Sequence, residues 1–531
     1  MWIDGNAQAG FRSHLENEFS SINVFNLRGN QRTSGELSRR EGGKVFGSGS
    51  RTPISVTLLV KKPNQKTEKA AINYYDIGDY LSREKKLEMI KGFSSIRNID
   101  WVTLTPDKHN DWINFRNDIF SSFIPIGDKK EETHNTYFAS RYSRGIATAR
   151  DQFCWNYSES LSTKNINTII DFYNEQRRAY HVAKEKDDKL KLESFVTYDS
   201  TKITWNRGFK QDLERGMEFN FSAENIYKGL YRPFCKQHIY FTKELNDMTY
   251  HMTKLFPAQG YQNIVICVSG LGGSKDHSTL ITNMVPDLNI LDAGTQCFPF
   301  YWYEKKDKIQ GGLFEKTEDE YIRQDAISDF ILDQGKTRYG PKVIKEDIFY
   351  YVYGILHSPE YRKTFANDLK KTLPRLPLVE TPTDFWAFAG AGRKLANLHL
   401  NYENQPPPKE VLVNDKPASS LSFTDSQLAI NKMEFPTKGQ KDTIIYNSHV
   451  TISNIPAKTY DYIVNGKPAI EWIMERYAIT THKESGIRND PNDWGRENGD
   501  PHYILDLLLS VISVSMGTVD IVAGLPKVEW G

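Results

Sequence analysis

Ile22-Asn-Val-Phe-Asn-Leu27 and, after a long polar interval, Pro53-Ile-Ser-Val-Thr-Leu-Leu-Val60 are the stretches that decide the fold at the front of this chain. The first alternates roughly between apolar and polar residues and the second is a β-branched run, so both read as strands, and they are expected to pair. Just upstream, Phe11, Leu15 and Phe19 recur every fourth residue, which lines up one apolar face of a short helix. The order is helix, strand, long loop, strand, an α/β beginning.

Working outward, 531 residues exceed what one hydrophobic core can organise, and ordinary apolar and charged fractions exclude a disordered or fibrous chain. A polar run at residues 128–135 reads as a boundary. This divides the chain into residues 1–127, a mixed region at 136–345 with short aromatic-rich strands, and a region at 346–531 that opens on helices and continues, after Pro406-Pro-Pro408, with strands and helices. The whole is expected to be multidomain, α/β followed by α+β. The apolar stretch from Tyr503 to Leu525 is interrupted by Asp506 and Asp520, which suits a buried helix better than a membrane span. Met-Trp-Ile-Asp-Gly at the front lacks the features of a secretory signal, so the expected compartment is the cytoplasm, with no membrane partner. Cys154, Cys235, Cys267 and Cys297 are too scattered for a zinc site or a disulfide framework and are expected to be reduced core thiols.

A net charge of +1 excludes a globally basic nucleic-acid binder, so the distribution of charge matters more than its sum. Residues 28–52 carry six cations, Arg28, Arg32, Arg39, Arg40, Lys44 and Arg51, against Glu36 and Glu41. Guanidinium forks beside glycines, with Asn30 among them, suit phosphate contacts and base-edge readout, whereas a mobile solvated loop is the plain alternative. Within this loop Phe46 stands between small residues, either to stack on an extruded base or to fold back on the core. A second cluster, Arg141, Arg144, Thr148 and Arg150 around a glycine turn, suits backbone gripping, although Asp151 beside Arg150 also suits an ordinary ion pair. Arg207 and Lys210, after Trp205, form a third candidate of similar composition.

Other chemistries find no support. Ser269-Gly-Leu-Gly-Gly-Ser-Lys275 lacks the spacing of a phosphate loop and reads as a turn, and Gly390-Ala-Gly-Arg-Lys394 is not a full dinucleotide fingerprint. The histidines include no metalloprotease pair and no serine occupies a nucleophile elbow. No metal site is expected.

Gly5-Asn-Ala-Gln-Ala-Gly-Phe-Arg12, Asn26-Leu-Arg-Gly-Asn-Gln-Arg-Thr-Ser-Gly35, Glu41-Gly-Gly-Lys-Val-Phe-Gly47 and Tyr75-Asp-Ile-Gly-Asp-Tyr-Leu-Ser-Arg83 resemble type ISP restriction-modification enzymes. The likeness continues through Asp111-Trp-Ile-Asn114, Tyr231-Arg-Pro-Phe234, Tyr351-Val-Tyr-Gly-Ile-Leu-His-Ser-Pro-Glu-Tyr-Arg362, Pro374-Arg-Leu-Pro377 and Ser485-Gly-Ile-Arg-Asn-Asp-Pro-Asn-Asp-Trp494. Such enzymes join nuclease, translocase, adenine methyltransferase and target-recognition domains in one polypeptide. The resemblance implies that residues 1–127, and most clearly those up to about Lys62, are the last strands of an incomplete methyltransferase sheet, and that the remainder recognises a short asymmetric duplex DNA site. It also implies that Phe46 lies near the extruded adenine. The family's glycine motif for S-adenosylmethionine and its Asn-Pro-Pro-Tyr-type catalytic motif do not occur here, so no catalytic residue can be carried over and no cofactor is expected on this chain alone. The partners implied are double-stranded DNA, the N-terminal methyltransferase half, and the nuclease and translocase domains. The alternatives are half of a split methyltransferase completed by another chain, or an interaction surface without DNA preference.

Overall fold

The computed structural model describes residues 2–33, 35–46, 50–62, 69–129, 135–306, 320–417 and 423–530. Helix α1 (Ala9–Glu18) leads into strand β1 (Ser21–Arg28), helix α2 (Gly35–Glu41), strands β2 (Ile54–Val60) and β3 (Ala71–Asp76), helix α3 (Arg83–Phe93) and the short strand β4 (Val102–Leu104). The four strands form one sheet in the order β2-β1-β3-β4. The expected pairing is present: β1 runs antiparallel to β2, with Ser21 opposite Val60, and parallel to β3, with Ser21 opposite Ala71.

Both faces of β1 are covered, which explains the apolar character of its alternate residues. Ile22 and Val24 pack with Leu15, Ile72 and Trp112 on one face. Phe25 and Leu27 pack on the other with Val45, Ile77 and the α3 residues Met89, Ile90 and Phe93. The sheet therefore continues past Lys62 as far as Leu104, further than the sequence reading most clearly placed it. Residues 28–52 are not a structureless loop, because α2 occupies their middle.

From Phe120 onward a single large core runs to Trp530. Phe120 and Ile126 already belong to it, so the change of core falls between Ile113 and Phe120, ahead of the polar run at 128–135, part of which (130–134) lies outside the described residues. No change of core marks 345/346 either. Two four-stranded sheets build the first part of this body. One joins Thr279–Thr282, Val265–Val268, Gln296–Pro299 and Ser143–Arg144, and the other joins Val285–Pro286, Ile226–Arg232, Cys235–Tyr240 and Trp155–Asn156.

Helices Lys345–His357 and Pro382–Leu400 cross at glycines. A Cβ on Gly392 would meet the Tyr350 carbonyl oxygen at 1.9 Å, and one on Gly354 would meet that of Phe388 at 2.3 Å. Close helix packing thus accounts for the glycine of Gly390-Ala-Gly. Helix Tyr503–Ala523 is long and apolar enough to cross a membrane by length and composition, yet it packs on Pro382–Leu400 and Ala469–Arg476, and residues such as Leu508, Val511 and Ile512 are buried there. All four cysteines are buried and free.

Candidate nucleic-acid interface

The segment that follows β1 is clamped rather than loose. Lys86 on α3 is fully buried and donates from Nζ to the carbonyl oxygens of Glu41 (2.7 Å) and Gly43 (3.0 Å). Arg83 Nε donates to the Val45 carbonyl at 3.0 Å, and the Gly43 amide donates to Leu81 at 2.8 Å. Gly42 has φ +71° and its Cβ position lies 2.2 Å from the Leu81 carbonyl oxygen, so only glycine fits this approach. Val45 is thereby drawn into the core while Phe46, the next residue, stands 59% exposed. The fold-back alternative for Phe46 is excluded by this arrangement. Gly47, beside it, lies outside the described residues. Lys86→Met is expected to free residues 41–46, raising amide exchange there by about tenfold for each lost charged hydrogen bond, with the α3 amides unchanged; unchanged exchange at 41–46 would remove the clamp from the account.

The cations of residues 28–52 divide into two groups. Arg28 donates from Nε to Asp76 at 2.6 Å and from Nη1 to Asp79. Burial works against its charge, but the Asp76 hydrogen bond and the two carboxylates outweigh it and hold its pKa above the ordinary arginine value. Arg40 also reaches Asp79 (3.2 Å), and Arg39 pairs with Glu36 (2.6 Å) within α2. Arg28 thus holds the carboxyl ends of β1 and β3 together, so of the DNA-binding candidates in this segment it is the one already engaged by two carboxylates. The Asn30 amide donates to Glu41 (2.9 Å) while its side-chain oxygen accepts from the Arg32 amide (3.1 Å). Arg32 and Arg51 are exposed and Lys44 is half-buried, and no carboxylate pairs with any of the three among the described residues.

In the second cluster the side chains turn inward. Arg150 is 1% exposed, donates to the Leu245 carbonyl at 2.5 Å and lies 3.8 Å over the Phe209 ring. A guanidinium enclosed in this way does not reach a phosphate, so its contact reading is corrected to packing. Arg141 donates to the Asp325 carbonyl (2.5 Å), and Arg144 lies over Tyr250 at 5.2 Å. The turn at Gly145 packs on Asp287, whose carbonyl oxygen would be 2.4 Å from a Cβ. In the third cluster Asn206 caps the helix Arg207–Glu214, Arg207 is exposed, and Lys210 is paired with Glu193 (2.5 Å) and Tyr198 (2.9 Å).

The end of the second cluster, residues 147–152, borders a cleft of about 780 Å³ that neither residues 28–52 nor Arg207 and Lys210 line. Thr148, Asp151 and Gln152 form one wall, Tyr231 and Gln237 the floor, and the hairpin Thr480–Thr481/Arg488–Asn489, with exposed His482 and Lys483 at its tip, the opposite wall. Thr148 Oγ1 donates to Asp151, whose other oxygen accepts from Tyr231 (3.2 Å) and lies 3.9 Å from Arg232. Behind it Arg232 pairs with buried Asp287 at 2.7 Å, and burial nevertheless pushes the Asp287 carboxyl up to about 7. Gln152, Asn289, His482 and Lys483 thus face one open space, a set that can pair with base edges. Gln237, Asn289, Asn489 and His482 were not singled out from the sequence, because nothing local distinguishes them; only the meeting of residues 147–157 with 475–489 does so. Among the described residues no cluster of metal-ligating side chains occurs.

The fold and the cleft define a specificity module, a rigid recognition body joined to a short α/β sheet. The Type ISP C-terminal specificity domain family matches residues 137–507, more than half of the chain, and the chain belongs to that family. Three solved structures are similar over 99% of this chain: a nuclease-deletion mutant of the Type ISP restriction-modification enzyme LlaGI with a DNA substrate mimic (39% identity, TM-score 0.85), the ATP-dependent Type ISP enzyme LlaBIII bound to DNA (37%, 0.86), and a DrdV–DNA complex (27%, 0.81). The chain spans 38%, 32% and 49% of those chains respectively. No curated protein matches it.

Proposed function

We propose that this chain reads a short duplex DNA sequence for a Type ISP restriction-modification enzyme and does not transfer a methyl group by itself. The observation that carries the reading is the open cleft, where Gln152, Asn289, His482 and Lys483 converge from segments far apart in sequence, with Thr148 and Gln237 buried behind them. Its support is the family match and the DNA in the similar structures. Arg32, Lys44, Arg51 and Arg207 would supply salt-sensitive phosphate contacts, while the cleft supplies base choice.

In this reading S-adenosylmethionine is bound elsewhere in the complete enzyme and not by this chain alone. What supports this is that the carboxyl ends of β1 and β3, where a parallel sheet would receive it, carry the Arg28–Asp76–Asp79 ion pairs. The donor, the methyltransferase body, the nuclease and the translocase are assigned in this reading to other parts of the enzyme, which acts in the cytoplasm. Phe46, held outward by the clamp, is the residue we assign to stacking on the target adenine in the complete enzyme. The split-enzyme alternative has one observation in its favour: the edge strand β2 leaves Val56, Leu58 and Leu59 exposed, an apolar edge that a further sheet segment would cover.

The test is retention of a randomised duplex pool by the purified chain at two salt concentrations. Enrichment of one motif, weakened by salt, is the expected result. Replacing Arg32, Lys44 and Arg51 together by alanine should lower affinity for all sequences alike and flatten the salt dependence by about 0.9 per lost contact in logarithmic slope. Asn289→Ala or His482→Ala should instead relax the motif at one position, by about 1–3 kcal/mol of discrimination. No retention at either salt concentration would sink the reading in favour of an interaction surface.

A further inference from the structure

A second cavity, of about 620 Å³, shares no residue with the cleft. It lies between helix Pro359–Thr364, the end of helix Tyr503–Ala523 and the segment 461–463, with His277 closing one side. Its walls combine an apolar surface, from Ile463, Val519 and Val522, with polar groups that the protein leaves unmatched.

His277 is 6% exposed, and neither of its ring nitrogens has a protein partner among the described residues. His357 is buried as well. Its Nδ1 lies 2.8 Å from the Tyr353 carbonyl oxygen, which can only accept, so Nδ1 carries the proton and Nε2 presents a bare lone pair without a partner. The buried Tyr462 hydroxyl is equally unmatched. Orphaned polar atoms in buried positions are rare and call for a cause. Four of them, on three residues around one cavity, are what a polar ligand would satisfy.

Arg362 is the buried charge at this site. Arg362 donates to the His277 carbonyl at 2.7 Å, and no carboxylate pairs with it among the described residues. The nearest acidic residue acting on it, Asp276, is itself paired with Lys370 at 3.2 Å. Burial and the neighbouring Arg362 charge depress both imidazoles, His277 to about 3 and His357 to about 4, so neither adds a second positive charge near neutrality. Asp276 and Asp461 at the margin disfavour a dianion. Lys363 is exposed at the rim.

From this we infer that the cavity binds a small organic carboxylate with an apolar body and a hydroxyl or amino group: the carboxylate on the Arg362 guanidinium, the donor group on His357 Nε2, and the body against Ile463, Val519 and Val522. A planar guanidinium matches a carboxylate in two parallel hydrogen bonds, and a mostly apolar pocket with a few converging polar groups suits a ligand of this size. The site stands apart from the cleft, and its occupancy is independent of the DNA reading.

The experiment is calorimetric titration of the full chain at pH 7.5 with 4-hydroxybenzoate, benzoate, phenol and inorganic phosphate. Binding of 4-hydroxybenzoate is expected, with phenol and phosphate about tenfold weaker or more, since each loses either the charged contact or the apolar one. Arg362→Gln should weaken 4-hydroxybenzoate by about tenfold while leaving phenol unchanged. His357→Phe should erase the preference for 4-hydroxybenzoate over benzoate. Ala523→Trp, on the exposed rim, leaves the core intact and should block every probe, which keeps the test valid if Arg362→Gln does not fold. Phenol binding as well as 4-hydroxybenzoate, titration unaffected by Ala523→Trp, or no probe binding in the millimolar range would each overturn the assignment.

Discussion

Asp111→Ala is expected to lower the stability of the chain by about 3–5 kcal/mol, the effect of removing one member of a buried ion cluster and leaving its partners uncompensated. Asp111 is fully buried. Its Oδ1 accepts from Arg12 (3.0 Å), and its Oδ2 takes Arg116 (3.1 Å) and Lys371 (3.0 Å). Arg12 is also fully buried and spends its other donors on the carbonyls of Asn110 (2.6 Å), Trp2 (2.9 Å) and Gly5 (2.7 Å). Burial lowers the Arg12 pKa against the pull of Asp111, so removing that carboxylate would leave a buried guanidinium without its counter-charge. The cluster ties residues 2–12 and 110–116 to the recognition body through Lys371, which also donates to the Asn114 carbonyl at 2.7 Å. Urea denaturation followed by Trp112 fluorescence reports the loss, and Asp111→Asn, which keeps shape but not charge, should fall between the two. A loss under about 1 kcal/mol would assign the cluster to the weak class of surface ion pairs.

Acid is expected to unfold the chain well above the range where carboxylates titrate. Burial lowers the pKa of His238 to about 4, of His277 to about 3 and of His357 to about 4, and that of His399 well below the ordinary value. An unfolded chain protonates its histidines near ~6.5. Below that pH the unfolded state takes up protons that the folded state refuses, so these residues contribute stability that is fully present above ~6.5 and lost as pH falls towards 4. Each histidine contributes about 1.4 kcal/mol per pH unit in that window. Asp287 acts in the opposite sense: its raised pKa makes the folded state the better proton binder between 4 and 7, offsetting about one histidine. The net slope should approach about 4 kcal/mol per pH unit near pH 5. Denaturation midpoints measured from pH 7.5 to 4.5 check it, and a flat profile over that interval would show that the imidazoles are hydrated in solution.

The candidate site was legible only in part. Composition placed the cations of residues 28–52 together, but spacing cannot tell a cation that meets solvent from one that meets a carboxylate brought in from another strand. Arg28 and Arg32 stand four residues apart; the first meets Asp76 and Asp79 because β3 lies parallel to β1, and the second meets no carboxylate. Arg150 was misread for the same reason. Its neighbours in sequence are polar, while its neighbours in space are Phe209 and the Leu245 carbonyl.

By itself the sequence determined the elements whose periodicity is local: the presence of helix α1, though not its buried face of Arg12, Leu15 and Glu16, the pairing of β1 with β2, the buried helix Tyr503–Ala523 and the four core thiols, together with a family likeness that runs the length of the chain. Tertiary structure alone decided how far the first sheet extends, where one core gives way to the next, which arginines remain free, and that Thr148, Gln237 and Asn489 share a cleft. The physical reason is range. Hydrophobic periodicity is written along a single helix or strand, whereas burial of a charge and convergence of a site are set by residues hundreds of positions apart, which only the packed chain brings together.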